Sequence, residues 1–280
     1  MARVIAIANQ KGGVGKTTTA VNLAASLAVA ERRTLLIDGD PQGNATSGMG
    51  IERGAFDRTT YDVLIGESGI AETRLRQVQF QYLDVVPATP DLAGAEVELV
   101  DATEREQRMR RAVQAVAREY EFVLIDCPPS LGLITLNMLA AADALLIPLQ
   151  CEYYALEGLS QLLNTVHLIQ HSVNPHLAIT GVLLTMYDAR LNLSRQVASE
   201  AREYFGAQVF DTVVPRNVRL AEAPSFGKPI VLYDVQSIGA QAYIAVADEL
   251  MRREASSRPE KMSHVAHSSI PSATPPEASA

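Results

Sequence analysis

The chain has 280 residues, of which 48% are hydrophobic and 20% are charged, and its formal net charge is −8 at pH 7. This composition is ordinary for a globular protein, and the length allows one large or two small α/β domains with a substantial core. The acidic balance excludes a protein coated in basic surface, although a local basic patch is compatible with it.

No apolar run reaches the length of a membrane span, since the longest candidate, 133–149, is interrupted by Asn137 and Asp143. The first residues lead directly into an apolar run and leave no room for a signal peptide. Cys127 and Cys151 lack metal-ligand spacing, and each follows a strand-like run. We therefore expect a cytoplasmic protein without membrane contact, in which both cysteines are small buried residues.

Strand-like and helix-like segments alternate along the chain almost to its end. Several strands are continuously apolar, which is typical of parallel strands covered by helices on both faces. The predicted strands are 4–8, 34–38, 83–87, 122–126, 144–148, 179–186 and 209–214. The predicted helices are 21–30, 105–118, 133–141, 156–170, 194–205 and 241–253. This alternation predicts a doubly wound α/β fold, with a mostly parallel sheet, helices on both faces and ligands at the carboxyl ends of the strands.

The composition changes after Arg253. Residues 256–280 are rich in Ser, Pro and Ala and contain almost no large apolar side chains, so they cannot bury enough surface to offset their chain entropy. We predict one domain over residues 1–253 and a disordered tail over 254–280. The tail lacks Leu, Phe or Ile at helical spacing, which argues against a membrane-anchoring amphipathic helix.

The most informative segment follows the first strand and reads Lys11-Gly12-Gly13-Val14-Gly15-Lys16-Thr17-Thr18. A β-branched run, a glycine-rich turn and a helix-forming stretch are together typical of a phosphate-binding loop. Glycines allow successive backbone N–H groups to point into one concavity, and the helix adds its positive N-terminal end. Lys16 is predicted to contact the β- and γ-phosphates, and the Thr17 hydroxyl to ligate Mg²⁺. The segment predicts a nucleoside triphosphate site.

One position departs from the usual pattern G-x-x-x-x-G-K-[ST]. Gln10 stands where that pattern has glycine, and an additional lysine, Lys11, follows it. A second cation beside the phosphates must either fold back on them or reach across to another subunit.

Three acids end two further strands. Asp38 and Asp40 follow the second strand, and Asp126 ends the fourth as in a Walker B strand, so all three are expected at the sheet edge that carries the loop. Mg²⁺ prefers oxygen ligands and keeps several waters, so Asp126 is predicted to hold it, directly or through water. Asp40 is predicted to orient the attacking water, and Asp38 to orient the site from behind.

Together these segments resemble the deviant-Walker-A ATPases, and within them the ParA/Soj chromosome-partitioning family. The resemblance rests on the loop, on Asp-Gly-Asp-Pro-Gln-Gly-Asn at 38–44 and on Ile-Asp-Cys-Pro-Pro-Ser at 125–130. It continues through 151–158, 184–190 and 215–225 and covers about residues 1–250. It implies a P-loop NTPase fold of the deviant Walker A type.

The resemblance also implies roles for individual residues around the nucleotide. Lys11 is similar to the signature lysine that contacts nucleotide across an ATP-sandwiched dimer. Lys16 and Thr17 match the phosphate and Mg²⁺ positions, and Asp40 matches the residue needed for hydrolysis. The positions that approach adenine in the family are matched by Pro215 and Asn217.

Two arginines, Arg190 and Arg219, match residues that the family uses to bind DNA without sequence preference. From the residues alone this signal is weak, because bases barely outnumber acids between positions 188 and 228. A symmetric dimer would double any such patch and join two weak phosphate-binding surfaces.

The activity that the resemblance implies is a slow ATPase switch, which converts ATP and water to ADP and phosphate. ATP closes a homodimer on nonspecific double-stranded DNA of the nucleoid. Hydrolysis, stimulated by a ParB-type centromere-binding partner, releases the dimer and so partitions a chromosome or plasmid.

Three alternatives share the loop. A MinD-type membrane-associated cell-division ATPase is disfavoured by the Pro/Ser-rich tail. An electron carrier of the iron-protein type needs cysteines that bridge subunits, for which Cys127 is poorly placed. A metabolic kinase or ligase would need an acceptor-substrate pocket that the sequence does not reveal.

Overall fold

A computed structural model describes residues 2–152 and 157–257, with backbone alone for 157–161 and 257. Within these ranges, six parallel strands form one sheet in the order β3-β2-β4-β1-β5-β6. Their bounds are β1 (Arg3–Ile7), β2 (Thr34–Asp38), β3 (Leu83–Val86), β4 (Phe122–Asp126), β5 (Ala144–Gln150) and β6 (Ala178–Thr185).

Helices cover both faces of the sheet. Successive side chains of a strand point to opposite faces, so one strand contributes apolar residues to both cores. In β1, Val4 and Ala6 join the core on one face, whereas Ile5 and Ile7 join the core on the other. The α-helices are α1 (Lys16–Val29), α2 (Asn44–Gly48), α3 (Thr60–Ile65), α4 (Ile70–Thr73), α5 (Ala95–Glu98), α6 (Arg108–Val116), α7 (Leu133–Ala141), α8 (Glu157–His171), α9 (Asn192–Phe205), α10 (Val218–Glu222), α11 (Ile230–Tyr233) and α12 (Ile238–Ser257). The doubly wound α/β prediction is confirmed.

The seventh predicted strand, 209–214, is wrong. The backbone N–H groups of Asp211 and Thr212 donate to the Glu249 carboxylate at 2.8 and 2.9 Å, so they are unavailable for a ladder with β6. Between described residues, this segment and its neighbours meet β6 and the loop after it only in isolated bridges. The Glu249 side chain of α12 thus accepts the hydrogen bonds that a neighbouring strand would otherwise accept from this segment.

The last helix, α12, is longer than predicted. It begins at Ile238 and ends at Ser257, so residues 254–257, which we placed in the tail, are helical. Arg3 Nε lies 2.9 Å from Glu254 Oε2, and this ion pair fastens the additional turn to the start of β1. The remainder of the predicted tail, 258–280, lies outside the described residues.

Across 2–152 and 157–257, no helix has both the length and the apolar character that a bilayer span requires.

Candidate nucleotide-binding site

The loop between β1 and α1 is shaped by glycines. Gly13 and Gly15 have φ angles of +73° and +90°, a region that favours glycine. A Cβ added at Gly12 or Gly13 would meet no atom within 4 Å, so the loop faces open space there. No side chain caps the first turn of α1, which leaves its N–H groups free for an anion.

Side chains from neighbouring segments hold this loop in place. Thr185, at the end of β6, donates its hydroxyl to Val14 O at 2.8 Å. Asn9 donates its amide to Pro148 O at 2.8 Å, and its Oδ1 accepts the N–H of Lys11 at 3.0 Å. The carboxyl ends of β5 and β6 therefore buttress the loop, a function of Thr185 that the sequence analysis missed.

Lys16 lies across the mouth of the loop. Its Nζ donates to Lys11 O at 3.1 Å, and the residue is 7% exposed. Burial lowers the pKa of Lys16, while the carboxylates of Asp126 and Asp40 act in the opposite direction. The structure thus places one buried cation between the loop and the acids.

Asp38 and Asp126 are register partners on β2 and β4, and both are fully buried. Asp38 Oδ2 accepts hydrogen bonds from the backbone N–H and the hydroxyl of Thr46, both at 2.7 Å. Its Oδ1 accepts the N–H of Asp40 at 3.2 Å. Burial raises the pKa of Asp38 to about 6 in spite of these bonds. Asp38 therefore supports the site from behind, through Thr46 and Asp40.

Asp126 differs from Asp38 because neither of its buried carboxylate oxygens accepts a hydrogen bond from the described residues. Burial raises the pKa of Asp126 well above the ordinary range, and the charge of Asp38 adds to this effect. The nearby Thr17 hydroxyl and Lys16 act in the opposite direction and favour the ionised form of Asp126. A buried carboxylate without partners, beside a hydroxyl, is the donor set that a hard divalent cation takes. The residues present fit Mg²⁺.

Asp40 lies at the start of the turn between β2 and α2. Its Oδ1 accepts the N–H of Gln42 at 2.9 Å, and the residue is 7% exposed. Gly39 lies between Asp38 and Asp40. A Cβ at this position would lie 2.7 Å from the carbonyl oxygen of Asp126. The glycine lets β2 and β4 approach closely where their acids end.

A cavity of about 220 Å³ adjoins the loop. Gly15 and Thr18 line one side of it, and Pro215 and Asn217 line another. Asn217 Oδ1 accepts the N–H of Leu220 at 3.1 Å and so caps α10. The structure thus brings the two residues matched to adenine next to the phosphate loop.

The side chain of Lys11 meets a residue that the sequence analysis missed. Its Nζ lies 3.8 Å from Glu152 Oε2, and an Arg216 nitrogen lies 3.6 Å from Oε1 of the same carboxylate. Glu152 lies within 151–158, one of the segments that carry the family resemblance, but the sequence assigned it no role, because its contact with Lys11 depends on the fold.

Arg190 and Arg219 both pair with carboxylates outside the cavity. Arg190, 88% exposed, donates to Asp188 at 2.9 and 2.7 Å and lowers the pKa of that carboxyl to about 2. Arg219 lies 3.0 Å from Glu222 and 3.5 Å from Asp234. Their charges are exposed but partly compensated.

The two cysteines are confirmed as buried free thiols. Burial raises the pKa of Cys127, and it raises the pKa of Cys151 to about 11. Neither thiol is therefore ionised at neutral pH.

Comparison with known proteins decides the family. Residues 2–179 match the family model described as an AAA domain. Over 259 residues the chain is 60% identical to the chromosome partitioning protein ParA of Myxococcus xanthus, with 92% of this chain and 91% of the relative covered. This chain belongs to the ParA/Soj family.

Two further comparisons, one with a Soj protein and one with a solved structure, give similar results. The chain is 57% identical over 250 residues to the sporulation initiation inhibitor protein Soj of Bacillus subtilis, with 89% of this chain and 98% of the relative covered. A crystal structure named cobyrinic acid a,c-diamide synthase, from Mycobacterium smegmatis with bound ADP and magnesium, superposes with a TM-score of 0.81. It is 38% identical, and the match covers 92% of this chain and 97% of that one. The resemblance inferred from the sequence is confirmed.

Proposed function

We propose that this member of the ParA/Soj chromosome-partitioning ATPases is an ATP-dependent DNA-segregation switch. The observation that carries the nucleotide chemistry is Asp126, a fully buried carboxylate without hydrogen-bond partners among the described residues, beside Thr17 and Lys16. Such a group is stabilised by a cation at that place. The cofactors are ATP and Mg²⁺.

The phosphate groups of ATP bind to the backbone N–H groups of residues 12–18, and Lys16 neutralises the β- and γ-phosphates. Thr17 and Asp126 hold Mg²⁺, Asp126 directly or through water. When bound, Mg²⁺ supplies further positive charge at the phosphate oxygens. The adenine base occupies the cavity between Thr18, Pro215 and Asn217.

Asp40 orients the attacking water by accepting its proton in a hydrogen bond. Its backbone is held by Asp38, which bonds the N–H of Asp40 and, through Thr46, the start of α2. Asp38 thus acts as a positioning residue, because these hydrogen bonds hold the turn that carries Asp40.

Lys11 contacts nucleotide across an ATP-sandwiched homodimer, which is the second of the two possibilities raised by its sequence position. The closed dimer presents Arg190 and Arg219 from both subunits to DNA phosphates, without base recognition. Hydrolysis, stimulated by a ParB-type centromere-binding protein, opens the dimer and releases it. The protein is cytoplasmic and associates with the nucleoid.

The MinD-type alternative predicts a lipid surface in place of DNA. The test is to incubate the purified full chain with ATP and Mg²⁺, with either plasmid DNA or anionic liposomes, and to sediment each mixture. We expect ATP-dependent association with DNA alone. Lys16→Ala, which we expect to lose ATP binding, serves as the control and is expected to associate with neither. ATP-dependent sedimentation with liposomes, but not with DNA, would contradict the proposal.

A further inference from the structure

A groove of about 550 Å³ opens at the end of the sheet opposite the nucleotide site. Arg33 precedes β2, Arg76 and Tyr82 precede β3, and Arg118 lies shortly before β4; all four line the groove. These positions lie at the N-terminal ends of the strands. Because the sheet is parallel, this edge is opposite the phosphate loop, which follows the carboxyl end of β1. The volume is in the range of small-ligand sites.

Three exposed arginines of this groove, Arg33, Arg76 and Arg118, have uncompensated side chains. In the ranges that the structure describes, none of their guanidinium groups makes a hydrogen bond or an ion pair. Most of the other described arginines bond to a carboxylate or a carbonyl, as Arg32 does with Glu121 at 3.2 Å. Three cations without partners therefore converge on one groove of an acidic protein.

The carboxylates in the groove are already engaged. Asp84 accepts the Tyr120 hydroxyl at 2.6 Å and the N–H of Gln77 at 2.9 Å. Glu119 accepts Arg74 at 2.7 Å, and Arg74, itself 7% exposed, also donates to the Tyr120 hydroxyl at 2.5 Å. Buried Arg74 joins these groups beneath the groove, and the charge of the exposed Glu119 is matched by Arg74 rather than by the three free arginines.

Guanidinium groups match the geometry of phosphate oxygens and bind them with paired, charge-assisted hydrogen bonds. Several of them around one groove fit a ligand with more than one phosphate group. We propose that the groove lined by Arg33, Arg76 and Arg118 is a second phosphate-binding site, separate from the phosphate loop. Its ligand carries two or more phosphates, either as a small polyphosphate compound or as a stretch of DNA backbone.

The test uses inorganic tripolyphosphate as the probe, titrated by calorimetry into the full chain saturated with Mg-ADP, so that the loop is occupied. We expect tripolyphosphate to bind once per chain. Its affinity should be about tenfold weaker in Arg76→Ala and about tenfold weaker in Arg118→Ala. Binding should be absent in the triple variant, in which Arg33, Arg76 and Arg118 are all replaced by Ala. The matched control is Arg53→Ala with Arg58→Ala, two exposed arginines outside the groove, which should leave binding unchanged. Absence of binding to the parent, or equal weakening in the control, would overturn the proposal.

A second arm separates the two phosphate sources. If the triple variant loses tripolyphosphate but keeps ATP-dependent DNA binding, the ligand is a small polyphosphate compound. If it loses both, the groove binds the DNA backbone. The proposed function is tested separately. It is contradicted if Mg-ADP does not bind to the parent. In that case, titration of Lys16→Ala with tripolyphosphate still tests the groove.

Discussion

Lys11 Nζ lies 3.8 Å from the Glu152 carboxylate of its own chain, and that carboxylate also lies 3.6 Å from Arg216. In the proposed dimer Lys11 contacts the nucleotide of the partner subunit, so this ion pair must open before the dimer closes. We therefore expect Glu152 to restrain closure in the single chain.

We predict that Glu152→Gln lowers the ATP concentration needed for dimerisation by a factor of about 1.4 to 5, since an exposed ion pair contributes about 0.2–1 kcal/mol. Light scattering against ATP concentration measures the effect. Glu52→Gln, which changes an exposed acid that makes no ion pair within 2–152 and 157–257, is the matched control. An unchanged dimerisation midpoint in Glu152→Gln would show that the pair does not restrain Lys11.

Asp40→Ala separates binding from chemistry. The variant is expected to bind Mg-ATP and dimerise, but to hydrolyse ATP at least about a hundredfold more slowly, because only the acceptor for the attacking water is lost. Phosphate release and nucleotide affinity are measured side by side. The variant should also stay on DNA after ATP addition. Turnover at the parent rate would move this role to Asp126 or Asp38.

Asp126→Asn is predicted to stabilise the nucleotide-free protein. Burial places the pKa of Asp126 above its value in the unfolded chain, so the folded parent loses stability as the pH rises above about 4. The variant lacks this carboxyl. It should therefore melt about 2–6 °C higher than the parent at pH 7.5, with a smaller difference at pH 4.5.

Asp38→Asn provides the contrast for that measurement. The two oxygens of its carboxylate accept hydrogen bonds from Thr46 and from the N–H of Asp40, whereas an Asn side chain has one acceptor oxygen, so we expect the variant to melt below the parent. Both variants should lose Mg²⁺-dependent hydrolysis. A melting temperature of Asp126→Asn below that of the parent at pH 7.5 would mean that the Asp126 carboxylate has a stabilising partner.

Arg190→Ala and Arg219→Glu should weaken DNA binding while ATP-driven dimerisation remains. Each substitution removes two phosphate contacts from a dimer, so the slope of log affinity against log salt should fall by about two. The loss should be equal on unrelated DNA sequences, because phosphate contacts carry no base information. Full affinity in the double variant would redirect the search to Arg195, Arg202 and Lys228.

Truncation distinguishes the last helical turn from the segment after it. Removal of residues 258–280 should leave the melting temperature and ATPase activity unchanged, because that segment has little apolar surface to bury. Removal of residues 254–280 also deletes Glu254, the partner of Arg3 at 2.9 Å, and should lower the melting temperature. Equal melting temperatures for the two truncations would show that this ion pair contributes nothing to stability.

Local patterns predicted most of the sheet. The strands β2 and β4 have the predicted bounds, because continuous apolar runs with β-branched residues are buried on both faces. Short helices such as α2 were missed, since fewer than six residues carry no period. The start of α2 is instead held by bonds from Thr46 to Asp38, a contact across eight positions.

The sequence by itself determined the family, the phosphate loop and the edge of the sheet at which Asp38, Asp40 and Asp126 meet, because these depend on glycines, strand ends and parallel topology that are read locally. Only the tertiary structure decided that Asp126 has no hydrogen-bond partner among the described residues, that Glu152 pairs with Lys11, and that Glu249 accepts the N–H groups of Asp211 and Thr212 in a predicted strand. Each of these features depends on which side chains from distant segments lie next to each other, and on how completely packing buries a charged group.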